Sequence, residues 1–334
     1  MKAAVKDKKY NMKENRPVFE LAKDFKCNYM EQWWKTSTEL PCPSIAYDKS
    51  RKRGKEKETD KFVKAMVDHF KAFSPDPEDK NRWCTEIMRN ARAYAKDTLG
   101  FKKEYLDIIF SKGFIDSTSS FIKEAKAFAP SMKIEDIFQA IRNVWIMNSI
   151  QVFLDKKVGF SPSVFSYSML YPYTDNYLDS NDIALEEKVD ISLRFGKCLA
   201  GEVVESRTPY EKDLFALVHG IEKEYARSSY PKVYQSLLGI HDAQQNSLMQ
   251  QTRRTVPYER DIMGISFLKG GMSVLADAYL VNGDLDRKTA EFIFGFGVLL
   301  QLADDLQDVS ADMKNGHMTI FSQVAGKWPL DNVT

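Results

Sequence analysis

Residues 296–312 read FGVLLQLADDLQDVSAD. Leu299, Leu300, Leu302, Ala303 and Leu306 recur at helical intervals, which predicts one buried helix. That helix carries four acids. Asp304, Asp308 and Asp312 fall at i, i+4 and i+8, one above the next, with Asp305 beside them. Like charges stacked this way repel, so packing explains the row poorly. A hard divalent cation such as Mg²⁺, which takes carboxylate and water oxygens, explains it well, and a solvated acidic face is the alternative.

A second acidic pair lies upstream. In SMLYPYTDNYLDSND, Asp175 and Asp179 are again four apart, among Tyr171, Tyr173, Tyr177 and Leu178. Two aspartate pairs on two apolar helices could face each other across a bundle cavity, as bundle metal sites do. A cluster of Mg²⁺ ions at the mouth of an apolar cavity suits a diphosphate attached to a hydrophobic tail.

These residues carry a resemblance. QLADDLQDV is similar to the second aspartate-rich motif (DDxxD) of trans-isoprenyl diphosphate synthases, and DNYLD resembles a degenerate first motif with Asn176 in place of the second Asp. SFLKGGMSVLADAYL lies between them, at the rough spacing of the helix that carries a diphosphate-contacting Lys. With RNVWIMNSIQ upstream and IHDAQQNSL in the middle, the series resembles the bacterial class IB terpene synthases, the large-terpene or tetraprenyl-β-curcumene synthase group, over roughly residues 80–325.

The resemblance implies an all-α isoprenoid synthase fold, a single large helical bundle around a central apolar cavity. On that reading residues 1–60 are an N-terminal segment with a basic connector and residues 61–334 the bundle. It also implies an activity: ionisation of a long-chain prenyl diphosphate, in the sesterterpene or large-terpene range, to a linear or cyclic terpene with release of diphosphate. Three Mg²⁺ ions, with Mn²⁺ as a substitute, are implied as cofactors. Asp175 and Asp179 would hold ions from one side, and Asp304, with Asp308 and Asp305 or Asp312, from the other. Lys269 would contact the diphosphate, Asn176 stands within the first motif, and Tyr171, Tyr173 and Tyr177 are candidate cavity walls able to stabilise a carbocation through their π faces. A prenyl-chain-joining enzyme and a non-catalytic helical scaffold are the rival readings. No GKxxRP-like basic segment is present for a second diphosphate, and neither acid motif has the DxxED form of squalene-type coupling. Related enzymes generally have further helices after the second motif, whereas 26 residues follow Asp308 here, so the N-terminal segment is expected to close the fold or a C-terminal part to be lacking.

Composition bounds the rest. The 334 residues are 43% hydrophobic and 28% charged, with only 16 Gly and 12 Pro between long periodic segments, which favours an all-helical chain. A net charge of +1 offers no argument for nucleic acid. Cys27, Cys42, Cys84 and Cys198 have no CxxC or Cys/His spacing, which points to inert thiols in a reducing compartment rather than zinc or disulfides. No apolar run reaches a transmembrane length and no apolar region follows the basic N-terminus, so a cytoplasmic protein is expected. A greasy substrate leaves loose membrane association open, and related proteins are often homodimers.

Along the chain, VFELAKDFKCNYMEQWW reads as a helix, TELPCPS as a loop and DKSRKRGKEKETDK as a solvated loop or connector. Amphipathic helices follow from residue 60 to 128, separated by Pro75, Pro77, Gly100 and Gly113. Arg142, Asn143, Asn148 and Gln151 on the apolar helix of 134–155 must be hydrogen-bonded to neighbouring loops or to a ligand, and a structural network is the expectation. Pro172 predicts a kink or a helix start. Arg194 could grip a diphosphate bidentately or pair with a neighbouring acid. His241 and Gln245 share a helix face and are secondary pocket candidates. Gly270 and Gly271 inside an apolar helix cost about 1 kcal/mol each against Ala, so a local break open to a cation, or close helix contact, should compensate. Lys269 beside them is either a diphosphate ligand or a lysine snorkelling from a helix end.

Overall fold

The computed structural model of the chain describes residues 16–39, 48–71, 77–180, 183–251, 260–330 and 333. Among them are thirteen α-helices and no strand, as an all-α chain requires. In order they are α1 (Val18–Lys35), α2 (Lys49–Lys71), α3 (Pro77–Asp97), α4 (Lys103–Ser111), α5 (Phe114–Phe128), α6 (Ile134–Phe153), α7 (Pro162–Asp179), α8 (Leu185–Ala200), α9 (Pro209–Glu222), α10 (Pro231–Ser247), α11 (Ile262–Asn282), α12 (Arg287–Gln307) and α13 (Val309–Asn315), with a 3₁₀ turn at Leu248–Gln251. Several begin on capping side chains. Ser161 accepts from Val164 N–H ahead of Pro162, Thr208 from Glu211 N–H ahead of Pro209, and Asp286 from Thr289 N–H.

Contacts gather the chain into two compact units, Met1–Leu40 with Val189–Thr334, and Pro41–Lys188. The first unit is built on α11, a helix buried on nearly every side. Against it pack α10, α12 and the N-terminal α1, so Val18–Lys35 belongs to this core. Phe25 of α1 meets Phe294 of α12 at 5.8 Å between ring centroids, and Tyr29 stacks on the same ring at 6.2 Å. Trp33 meets Phe267 of α11 edge-on. Phe25, Phe267 and Phe294 are all fully buried, each contributing about 2–3 kcal/mol.

The second unit centres on α5, α6 and α7. Its buried polar residues are joined to one another: Asn143 to Ser168 at 3.2 Å, Ser117 to Asn148 at 3.2 Å, and Gln151 to both backbone groups of Gly159 at 3.1 Å. These bonds form a structural network of the kind buried amides demand, though Asn148 Nδ2 and Ser119 Oγ are buried without a hydrogen-bond partner among the described residues. α7 runs through Pro172 without restarting, and Thr174 Oγ bonds back to the Leu170 carbonyl at 2.8 Å.

One expectation fails here. The basic stretch after residue 48 is not a loop but the first half of α2. Its Lys, Arg and Glu residues are straight-chain helix formers. The helix is also anchored on α3, where Phe62 stacks on Tyr94 at 4.1 Å and Thr59 shares a 2.8 Å hydrogen bond with the Tyr94 hydroxyl. Residues 40–47, which include most of TELPCPS, lie outside the described residues. Among the described residues no helix is long and apolar enough to cross a membrane.

Candidate functional site

The second acid motif ends α12. Asp308 caps that helix and opens α13, yet the four-residue bonding continues, from Asp308 N–H to the Asp304 carbonyl and from Asp312 N–H to the Asp308 carbonyl, both at 2.9 Å. The spacing of the row is therefore kept. Asp304 and Asp305 stand in a last turn of α12 that has no basic side chain, where the helix dipole disfavours anions, whereas Asp308 and Asp312 stand at the start of α13, where it favours them.

The buried face of α12 is not the leucine stripe. Leu299 is 61% exposed and Leu306 and Ala303 also face outward, while Ala290, Ile293, Phe294, Gly297, Val298 and Asp305 are buried. The cause is the seam with α11. A Cβ added at Gly297 would stand 2.2 Å from the Gly270 carbonyl oxygen, and one at Gly271 would stand 2.4 Å from the Phe294 ring. Only a face with glycine at that position can come so close. Gly270 and Gly271 therefore serve close helix contact, and α11 continues through them unbroken.

That rotation turns Asp305 inward, where it is 6% exposed. Its Oδ1 accepts from Gln301 Nε2 at 2.7 Å, while Oδ2 is buried without a hydrogen-bond partner among the described residues. Burial pushes this carboxyl up from the usual carboxylate range and the Asp304 charge adds to that; Gln301, the nearby Ser266 hydroxyl and Lys269 act against it. Asp312 is pushed up to about 6, first by burial and then by the charges of Asp305, Asp308 and Asp304, with Lys269 again opposing. Lys269 makes no ion pair within 4.0 Å among the described residues, but its charge reaches both carboxyls. Four acids and one ammonium thus share an electrostatic neighbourhood on α11, α12 and α13.

Sequence reasoning missed three members of this neighbourhood. Gln301 precedes Asp305 by one turn, and Ser266 precedes Lys269 by three residues on the same face. Gln250, almost wholly buried, donates from Nε2 to Ser266 Oγ at 3.2 Å and to the Met318 carbonyl at 3.1 Å, tying in the segment after the motif. Helical spacing alone could have flagged the first two.

Other candidates are differently placed. Arg194 binds Glu211, Nε to Oε1 at 2.5 Å, and also donates to the Glu205 carbonyl. Pairing with a neighbouring acid is the alternative realised. Burial pushes the Glu211 carboxyl up, but hydrogen bonds from Arg194 and the Arg207 N–H more than reverse this, leaving it below the usual carboxylate range. His241 packs edge-on to Phe195 at 5.3 Å, with Nε2 at 3.0 Å from where a Gly196 Cβ would stand; burial lowers its pKa, against opposing effects of Asp242 and the Ser192 backbone. Gln245 is half-buried on the same helix.

The first motif belongs to the second unit. Asn176 donates to Asp136 at 2.9 Å and the Tyr177 hydroxyl meets Glu187 at 3.0 Å. Tyr173 packs edge-on to Phe128 at 6.2 Å, and Tyr171 and Asp175 are half-buried. Asp179 closes α7, and its side chain lies outside the described residues.

Among the described residues no three His, Cys, Asp or Glu side chains converge as a metal cage. Mg²⁺ does not need one, since one or two carboxylates with water and phosphate oxygens commonly complete its shell. One or two carboxylates drawn from Asp304, Asp308 and Asp312 fit that donor chemistry. Comparison with protein-family models, with curated proteins and with solved structures finds no match.

Proposed function

We propose that this chain is a Mg²⁺-dependent class I terpene synthase, which ionises a long-chain prenyl diphosphate to a linear or cyclic terpene and releases diphosphate. The observation that carries the reading is that the Asp304–Asp308–Asp312 row on α12 and α13 shares an electrostatic neighbourhood with Lys269 on α11, and that α11 and α12 are held together by a glycine seam. A rigid seam preorganises charge, and preorganised charge is what stabilises a departing anion. Magnesium bound by the acids would neutralise the diphosphate oxygens and so improve the leaving group. Lys269 adds a point charge toward the same anion. When the allylic C–O bond breaks, its electron pair leaves with diphosphate, and the final proton of the cation passes to that diphosphate. Asp175 and Asp179 enter the reading through the resemblance of their motif. Arg194, His241 and Gln245 are given no part in it, because Arg194 is held by Glu211, His241 is held within the fold, and nothing at Gln245 points to a ligand.

The test is incubation of the purified protein with Mg²⁺ and a series of prenyl diphosphates, with and without isopentenyl diphosphate, followed by analysis of organic extracts and free diphosphate. Diphosphate release with a hydrocarbon from a single long substrate is the expected result. Asp304→Ala should lower that rate by about two to three orders of magnitude while leaving helicity unchanged. Longer diphosphates formed only with isopentenyl diphosphate would make the protein a chain-joining enzyme. Silence with every substrate would leave a scaffold.

A further inference from the structure

A different surface, in the second unit, combines exposed apolar side chains with basic ones. α3 ends in a turn in which the N–H groups of Thr98 and Leu99 bond the Tyr94 carbonyl and Phe101 N–H bonds the Ala95 carbonyl at 2.9 Å, around Gly100 at φ +75°. This geometry is fixed, and it holds Leu99 outward, 52% exposed, with Phe101 beside it. Phe101, Tyr105 and Ile108 then fall at i, i+4 and i+7, and all three are exposed, Tyr105 by 54%. The opposite face of α4 is already used, since Leu106 is buried. Tyr105 and Ile108 are thus an outward apolar face on a nine-residue helix, with Phe101 and Leu99 exposed in the segment just before it.

Basic residues stand at the same end of this unit. Lys55 of α2 donates to the Thr98 carbonyl and Thr98 Oγ bonds Glu58 at 3.1 Å, so α2 is tied to the turn. Because Thr59 and Phe62 meet Tyr94 further back, α2 and α3 run antiparallel. The residues of α2 before Lys55 therefore project past the end of α3 by about 9 Å at 1.5 Å per residue. That projection is Lys49, Arg51, Lys52 and Arg53, with no acid among them. Segments 49–55 and 96–105 together carry eight cations, against the two acids Asp97 and Glu104.

We infer that this end of the second unit docks on an anionic lipid bilayer: Leu99, Phe101, Tyr105 and Ile108 enter the headgroup–acyl boundary while the α2 cations and Lys102 and Lys103 meet lipid phosphates. Charge complementarity selects this occupant, because an apolar stripe alone would fit a protein partner and a basic run alone a polyanion in solution. The juxtaposition of both fits a membrane surface, where Tyr and long cationic side chains span the polar boundary. The contact is peripheral, and it does not rest on the proposed activity.

The test is sedimentation of the full chain with vesicles of phosphatidylcholine alone and of phosphatidylcholine with phosphatidylserine. Binding is expected only with phosphatidylserine and should weaken with salt. Arg51→Gln with Lys52→Gln should lower partitioning roughly tenfold or more. Leu99→Ser with Phe101→Ser should lower it comparably, while circular dichroism stays unchanged in both double variants. Leu299→Ser with Leu306→Ser, on the exposed leucine face of α12, should leave binding intact. Equal binding to both vesicle types, full binding by the first two variants, loss in the α12 variant, or binding of a single-stranded oligonucleotide without binding of vesicles would each overturn the inference.

Discussion

The two aspartate motifs both close a helix whose last turn lacks a basic side chain, yet their surroundings differ. On α7 the neighbours of the acids are engaged inside their own unit: Asn176 with Asp136, Tyr177 with Glu187, and the Leu178 carbonyl with Lys188 Nζ at 2.7 Å. Around the end of α12 polar capacity is left over among the described residues, in the buried Oδ2 of Asp305, the raised carboxyl of Asp312 on α13 and the Lys269 ammonium on α11, which makes no ion pair there. The lesson concerns how a ligand site is recognised. A charge already satisfied by the fold adds stability, whereas a charge gathered at a cost and left unsatisfied implies that something else completes it. Arg194 belongs to the first kind and Asp305 to the second.

The largest expected effect tests the satisfied kind. Arg194→Met would strand Glu211, which is almost wholly buried, and should cost about 3–5 kcal/mol in urea unfolding at neutral pH. The same pair sets a pH dependence. Because the folded carboxyl sits below its unfolded value, its stabilisation is complete above the ordinary carboxylate pKa and is lost as pH falls through the folded one. The wild-type protein should therefore lose stability on acidification faster than the variant does. Equal slopes would place Arg194 outside the stabilising network.

Gly297→Ala comes next. Its new methyl would meet the Gly270 backbone, which cannot swing aside as a side chain can, so the seam must part at about 2–3 kcal/mol. A fall in melting temperature, together with loss of any Mg²⁺-induced stabilisation, is expected. A stable variant that still responds to Mg²⁺ would separate the seam from the site.

Asp305→Asn should act in the opposite direction, stabilising the metal-free protein by about 1 kcal/mol, because it removes a buried charge and keeps the shape. Thermal melts with and without Mg²⁺ would read both this gain and a reduced Mg²⁺ response. Destabilisation would mean that Lys269 already satisfies the carboxylate. The smallest effect is at Asn176→Asp, which completes the first motif but sets two acids together in place of the 2.9 Å bond to Asp136. At an exposed position this should cost under about 1 kcal/mol. A large Mg²⁺-dependent rise in the melting temperature of that variant would show that the α7 motif also holds unspent capacity.

Much of this was open to reading from local pattern. The all-α class and the acid spacing are one-dimensional facts, fixed by apolar periodicity and by glycine and proline punctuation. The chain around 299–306 is apolar on more than one side of the helix, so periodicity offered more than one core face, and the leucine-rich one was the wrong choice. Gly297 against Gly270 decided the matter, because backbone can approach backbone only where neither carries a side chain. That single contact buried Asp305 and exposed Leu299. The helical state of the basic residues after 48 rested on packing against Tyr94, which lies 35 positions beyond Thr59. The partner of Arg194 depended likewise on Glu211, brought to it from α9. Sequence by itself set the all-helical class and which residues carried charge. Tertiary structure decided which faces met and which charges were satisfied, because closest approach and burial depend on partners distant in the chain.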